Sequence, residues 1–172
     1  MNKERIFLLG MMGAGKTTLG RQLASQLGYT FVDLDAYLEA REGRSIAQLF
    51  EQEGQERFRQ KERQALEAVV LQHAQAVIAT GGGTPCFFDN MSFINQHGIS
   101  IFLDVPAEEI AERLMATNLQ ERPLLAGKSV EELKDFIAKT LAERRGYYQQ
   151  ANFTLTGKSN NIEQLVSLLN HI

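Results

Sequence analysis

The run Gly10-Met11-Met12-Gly13-Ala14-Gly15-Lys16-Thr17 follows the pattern G-x-x-x-x-G-K-[ST]. With glycine near its ordinary abundance, chance supplies such a match on the order of once in a few hundred chains. The pattern constrains the fold because it works only where a strand feeds a helix. Both flanks are present. Residues 6–9 form a short apolar run, and Leu19, Leu23 and Leu27 recur on one helical face after the motif. Glycines let successive backbone N–H groups turn inward and approach phosphate oxygens. The helix N-terminus adds unpaired N–H groups and the positive end of its dipole. Gly13, Ala14, Gly15, Lys16, Thr17 and Thr18 are therefore expected to cradle the phosphates of a nucleoside triphosphate. Lys16 is expected to reach the β- and γ-phosphates, and the Thr17 hydroxyl to ligate Mg²⁺. The loop does not specify the fate of the γ-phosphate.

Residues 30–32, 76–79 and 101–103 read as further buried strands, and residues 153–155 as a weaker fifth. Helical patterns lie between them. Ser45 with Gln48, and Ser129 with Glu132, have the spacing of a helix-opening capping box. Residues 55–73 form a long amphipathic stretch, and residues 161–170 a closing helix with Ile162, Leu165, Val166 and Leu169 on one side. Strands alternating with helices indicate α/β architecture, a parallel sheet with helices on both faces. Ligands of such sheets bind beyond the carboxyl ends of the strands. The 172 residues show no repeat, low-complexity segment or linker, so one domain is expected over 1–172.

A net charge of -3 disfavours a nucleic-acid partner. No apolar run approaches the ~20 residues of a membrane span, and the N-terminus lacks the pattern of a signal peptide. One cysteine, Cys86, cannot form an internal disulfide and fits a reducing compartment. The expectation is a cytoplasmic protein with neither nucleic acid nor membrane as partner. His73, His97 and His171 lack metal-ligand spacing.

Further chemistry falls at the predicted strand ends. Asp33 and Asp35 close the second strand, where alternation would point both to one side. One carboxylate could serve Mg²⁺ while the other orients or deprotonates an acceptor hydroxyl. Alternatively, they cap a helix over 36–41. Arg59, Arg122 and Arg144 each offer a planar fork suited to carboxylate or phosphate. Arg122 sits in an irregular polar stretch over about 116–128 that reads as a lid, from which a guanidinium could neutralise a transferring phosphoryl group. Gly81, Gly82 and Gly83 follow the third strand and permit close backbone approach to an acceptor.

As a set, these residues resemble the shikimate kinase family, within the nucleoside-monophosphate-kinase-like P-loop fold. The likeness runs from Ile6 to about Leu169. Its specific part comprises Asp33-Leu34-Asp35, Phe58-Arg59 with Glu62, Gly81-Gly82-Gly83, Arg122-Pro123-Leu124-Leu125, and Arg144 four residues before Tyr148. The resemblance implies a three-layer αβα fold with a five-stranded parallel sheet of order 2-3-1-4-5. It also implies a helical substrate-binding segment over about 33–62 and a lid over about 116–128. The implied activity is transfer of the ATP γ-phosphoryl group to the 3-hydroxyl of shikimate, in chorismate and aromatic amino-acid biosynthesis, by a monomer with no obligate protein partner.

By the same resemblance, Lys16, Asp35 and Arg122 form the catalytic set, and Asp33 joins Thr17 in the Mg²⁺ environment. Asp35 binds ring hydroxyls, Arg59 and Arg144 clamp the carboxylate, and Gly82 with Gly81 and Gly83 donates backbone N–H. Arg122 closes onto the ATP phosphates, Arg113 stacks on adenine, and residues 157–161 border the base. The chain departs from the family pattern at Gln55, where glutamate is usual, and at Lys158, Ser159 and Asn160, where arginine is frequent. Two other readings use the same loop. One is a gluconate-type or nucleotide kinase of this fold. The other is a non-catalytic nucleotide-switched module, which would show no acceptor-dependent ADP release.

Overall fold

Apolar runs too short for helices build the sheet. A computed structural model describes residues 4–117, 125, 127–157 and 161–172. Strands β1 (Arg5–Leu9), β2 (Thr30–Asp33), β3 (Ala76–Ala79), β4 (Ile99–Asp104) and β5 (Phe153–Thr156) pair throughout in parallel, in the order β2-β3-β1-β4-β5. This is the architecture the family likeness implies. β1, β3 and β4 lie inside the sheet and are buried on both faces, so they read as continuous apolar runs rather than alternating ones. β5 lies at an edge, and its residues alternate between half-buried and exposed. That alternation explains its weaker sequence signal.

Around the sheet pack α1 (Lys16–Leu27), α2 (Leu34–Glu42), α3 (Ile46–Gln72), α4 (Asn90–His97), α5 (Ala107–Met115), α6 (Val130–Tyr148) and α7 (Ile162–Leu169), with a 3₁₀ turn at Thr84–Cys86. Phe7, Leu8, Leu9, Ile78 and Phe102 of the sheet and Tyr148 of α6 are fully buried in one core. Each such side chain contributes roughly 1.5–3 kcal/mol by leaving water. β1 sits at the point where strand order reverses, with β3 on one side and β4 on the other. The crevice beyond its carboxyl end is where this topology places a ligand.

Several local readings are refined. Ser45 and Gln48 form a reciprocal capping box, whereas the Ser129 hydroxyl accepts from the Glu132 backbone N–H and donates to the Glu132 carboxylate at 3.1 Å. Leu27, expected on the buried face of α1, is 40% exposed, and Gly20 and Ala24 are buried instead. The amphipathic stretch from residue 55 is the second part of α3, which begins earlier and breaks at Gly54 (φ 78, ψ 172). α4 is not anticipated by periodicity because its eight residues span barely two turns. Arg122 and most of the 116–128 stretch lie outside the described residues, as do Lys158, Ser159 and Asn160.

Candidate active site

The loop between β1 and α1 turns on Gly13 (φ 79) and Gly15 (φ 97), both in the left-handed region that residues with a Cβ avoid. Gly15 is the N-cap of α1, where it supplies no side-chain cap, and the first turn of α1 carries no acid. The leading N–H groups of this helix are thus arranged for an anion. Lys16 Nζ donates to the Gly10 carbonyl, and to the Met11 carbonyl at 3.1 Å. From α5, Arg113 donates to the Gly13 carbonyl at 3.1 Å and pairs with Glu109 at 2.8 Å. A cavity of about 830 Å³ is lined by residues 11–19, Asp33, Asp35, Gly82, Arg113 and Asn161, among others.

Asp33 has two tasks. Its Oδ1 accepts from the Ala36 backbone N–H at 3.1 Å and opens α2, while its Oδ2 accepts from the Thr17 hydroxyl at 3.1 Å. The helix-cap reading and the reading beside the phosphate loop meet in one side chain. Asp35 is placed differently from the expectation of strand alternation. β2 ends at Asp33, and Asp35 lies in the first turn of α2. The helix start, rather than the pleat, sends its carboxylate toward the cleft. Burial, then the charges of Glu62 and Asp33, push the Asp35 carboxyl up to about 6, against an opposing pull from Lys16.

The triple glycine gathers the remaining charged groups. A methyl group on Gly81 would lie 2.9 Å from Asp35 Oδ1 and 3.1 Å from Glu62 Oε2. On Gly82 it would lie 2.8 Å from Arg144 Nη1, and on Gly83 2.5 Å from Arg59 Nη2. No side chain fits between this rim and those four residues, which accounts for three glycines in a row. Arg59 Nη1 donates to Glu62 Oε1 at 2.9 Å, and Thr84 Oγ1 donates to Glu62 Oε2 at 2.9 Å. Tyr148 donates its hydroxyl proton to the Gly82 carbonyl at 2.6 Å. Gly82 lines the cavity, and Arg144 beside it also reaches Met11 Sδ at the start of the phosphate loop at 3.9 Å. The neighbour of Arg144, Arg145, is docked on Asp104 at the end of β4 through two bonds of 3.0 and 3.2 Å.

Thus Lys16, Thr17, Asp33, Asp35 and Gly82 come together in the cleft, Arg113 covers the phosphate loop, and Arg59, Gly81, Gly83 and Arg144 cluster at one side. Glu62 and Tyr148 belong to the family likeness in sequence but acquire their tasks only in the fold. Glu62 is 1% exposed and bridges Arg59 to Thr84. The available signal was its position three residues after Arg59 on one helix. Cys86 is half-buried, and burial pushes its thiol up, as for a packed residue.

The donors present suit a hard cation that keeps much of its water. Among the described residues no three or more His, Cys, Asp or Glu side chains could hold a metal ion together. The Thr17 hydroxyl and Asp33 carboxylate offer two adjacent oxygens beside a phosphate loop, the protein share that Mg²⁺ needs when phosphates supply the rest.

A sequence model of the family described as shikimate kinase matches residues 12–171. A shikimate kinase of Parabacteroides distasonis is 46% identical over 151 residues, covering 88% of this chain and 86% of that protein. The crystal structure of a shikimate kinase from Bacteroides thetaiotaomicron superposes with a TM-score of 0.91 at 41% identity, over 96% of this chain and 98% of that one. A shikimate kinase from Acinetobacter baumannii, solved in complex with shikimate, gives a TM-score of 0.83 at 34% identity, over 98% and 90% of the two chains.

Proposed function

The chain belongs to the shikimate kinase family, and from that premise we infer that it transfers the γ-phosphoryl group of ATP to the 3-hydroxyl of shikimate, giving 3-phosphoshikimate and ADP. The observation that carries this reading is the meeting of two guanidinium groups with an aspartate and a glutamate at a side-chain-free rim beside the phosphate loop. Arg59 and Arg144 suit the carboxylate of a polyhydroxylated ring, and Asp35 suits its hydroxyls. An acceptor without a carboxylate leaves both arginines unpaired, which selects against neutral sugars.

Phosphoryl transfer depends on in-line placement and charge stabilisation more than on covalent chemistry by the protein. The backbone N–H groups of Gly13 to Thr18 hold the phosphates, and Lys16 moves from the carbonyls of Gly10 and Met11 to the β- and γ-oxygens. Thr17 and Asp33 would hold Mg²⁺, which when bound neutralises charge shared by those oxygens. Asp35 orients the acceptor hydroxyl. As the new O–P bond forms and the bond from γ-phosphorus to the bridging oxygen breaks, Asp35 takes the hydroxyl proton. Its elevated pKa brings it nearer the basicity such a task needs. Arg122, on the lid over about 116–128, would close onto the phosphates, and Arg113 would border the adenine. Residues 33–62 carry the acceptor contacts of Asp35 and Arg59. The reading extends to a monomer acting in the cytoplasm on a small-molecule acceptor, in chorismate biosynthesis.

Coupled measurement of ADP release tests it. With ATP and Mg²⁺ present, shikimate should stimulate release, while gluconate and nucleoside monophosphates leave it at background. Stimulation by either of those, with none by shikimate, overturns the assignment.

A further inference from the structure

Arg59 is held by aromatic rings as well as by Glu62. Its guanidinium carbon lies 4.1 Å from the ring centroid of Phe87, 5.0 Å from Phe58 and 5.8 Å from Phe50. Phe50 and Phe58 stand on α3 with their centroids 4.2 Å apart. Phe87 comes from another part of the chain, as the extended residue that closes the 3₁₀ turn after the glycine rim. Arg59 Nε is buried and has no hydrogen-bond partner among the described residues. Among the described residues its charged contact is with Glu62 through Nη1, and a guanidinium so held can pivot about that contact. A ring 4.1 Å from the guanidinium carbon restricts that freedom and adds cation–π attraction.

The placement of Phe87 is itself enforced. The next residue, Phe88, adopts φ 51, a left-handed conformation unusual for a bulky side chain, and it is 61% exposed. Packing of Phe88 therefore does not explain the turn. The chain is anchored just beyond it. Arg63 Nη1 donates to Asp89 Oδ1 at 2.5 Å and to Asn90 Oδ1 at 2.8 Å. The buried Asn90 donates in turn to the Thr84 carbonyl at 2.8 Å. These bonds hold residues 84–90 against α3 and offset the strained turn, whose result is one ring over Arg59 and the next in solvent.

We propose that Phe87 is a positioning residue for acceptor binding: its ring fixes the plane of the Arg59 guanidinium, so that the Nη2 edge faces the rim at Gly83 in register for a planar carboxylate. The proposal rests on the reading of Arg59 as a carboxylate contact.

The test compares steady-state kinetics of Phe87→Leu, Phe87→Tyr, Arg59→Ala, and proteins carrying one, two or three ring fluorines on Phe87. Fluorine withdraws electron density from the ring face while nearly preserving its shape. The shikimate KM should rise about fivefold in Phe87→Leu and climb stepwise with each fluorine, while Phe87→Tyr stays near the parent and the ATP KM is unchanged throughout. A flat fluorine series, beside a large rise in Arg59→Ala, overturns the role of Phe87 and leaves the carboxylate contact standing. An unaltered shikimate KM in Arg59→Ala overturns the underlying contact instead. The fluorinated proteins decide the matter even if Phe87→Leu fails to fold.

Discussion

A carboxylate packed beside Glu62 and Asp33 is retained at a cost to the fold. The Asp35 pKa rises from 3.8 to about 6 on folding, so the folded state holds its proton more tightly than the unfolded chain does. The associated stabilisation is complete below the unfolded value and is lost as pH rises through about 6. Asp35→Asn should therefore raise the unfolding free energy at neutral pH by about 1–3 kcal/mol, a gain that disappears in acid where the carboxyl is protonated in both states. The same change should lower kcat by about a hundredfold or more. Urea melts at acid and neutral pH, beside initial rates, check both halves. Gly82→Ala tests the rim. The added methyl meets the tip of Arg144 at 2.8 Å and backbone atoms only at 3.7 Å. The flexible guanidinium must give way, so the shikimate KM should rise while the thermal midpoint barely moves. At this scale the phosphate loop was legible because its parts are contiguous in sequence. Glu62 was not assigned because only Arg59 is its neighbour in sequence, while Thr84 and the Gly81 rim converge on it in three dimensions.

Within α3 the chain breaks at Gly54, and a charged cluster joins the break to the end of α2. Lys61 pairs with Glu42 at 2.7 Å and with Glu53 at 2.9 Å, and Arg44 approaches both acids at 3.4 Å. The cluster ties the last residue of α2, the helix whose first turn carries Asp35, to both parts of α3, the later of which carries Arg59. Gly54 permits the bend, and a methyl there would meet nothing within 4 Å. The cost of Gly54→Ala is thus purely conformational, about 1–3 kcal/mol for a backbone geometry that is nearly glycine-only. Relaxation of the bend should also displace Arg59 and raise the shikimate KM more than the ATP KM; equal rises would detach the bend from acceptor binding. The N-terminal capping box of α3 and the amphipathic stretch after the break are local signals and were readable. Asp35 was misplaced onto a strand because the pattern after β2 supports both an extended and a capped reading, and only the observed Asp33 bond to Ala36 decides between them.

Across the described residues, parallel strands bring the segments that follow β1, β2 and β3 to one edge of the sheet. The order of strands was readable only through the family likeness, since parallel pairing leaves no local mark in sequence. With the nucleotide loop after β1 and the glycine rim after β3, neighbouring strands set the donor and acceptor side by side. One titrating group then dominates the acid limb of activity: kcat/KM for shikimate should rise with pH to a plateau, with a midpoint at about 6. A profile without that rise would remove Asp35 as the proton acceptor. Tyr148 sets the contrast. Burial pushes its phenol up to about 12, so the bond to Gly82 keeps its donor well into alkaline solution. The tether from the far end of α6 to the acceptor platform is therefore indifferent to the acidity of its surroundings. A decline of turnover in mild alkali must have its origin in some other group than this hinge-pin.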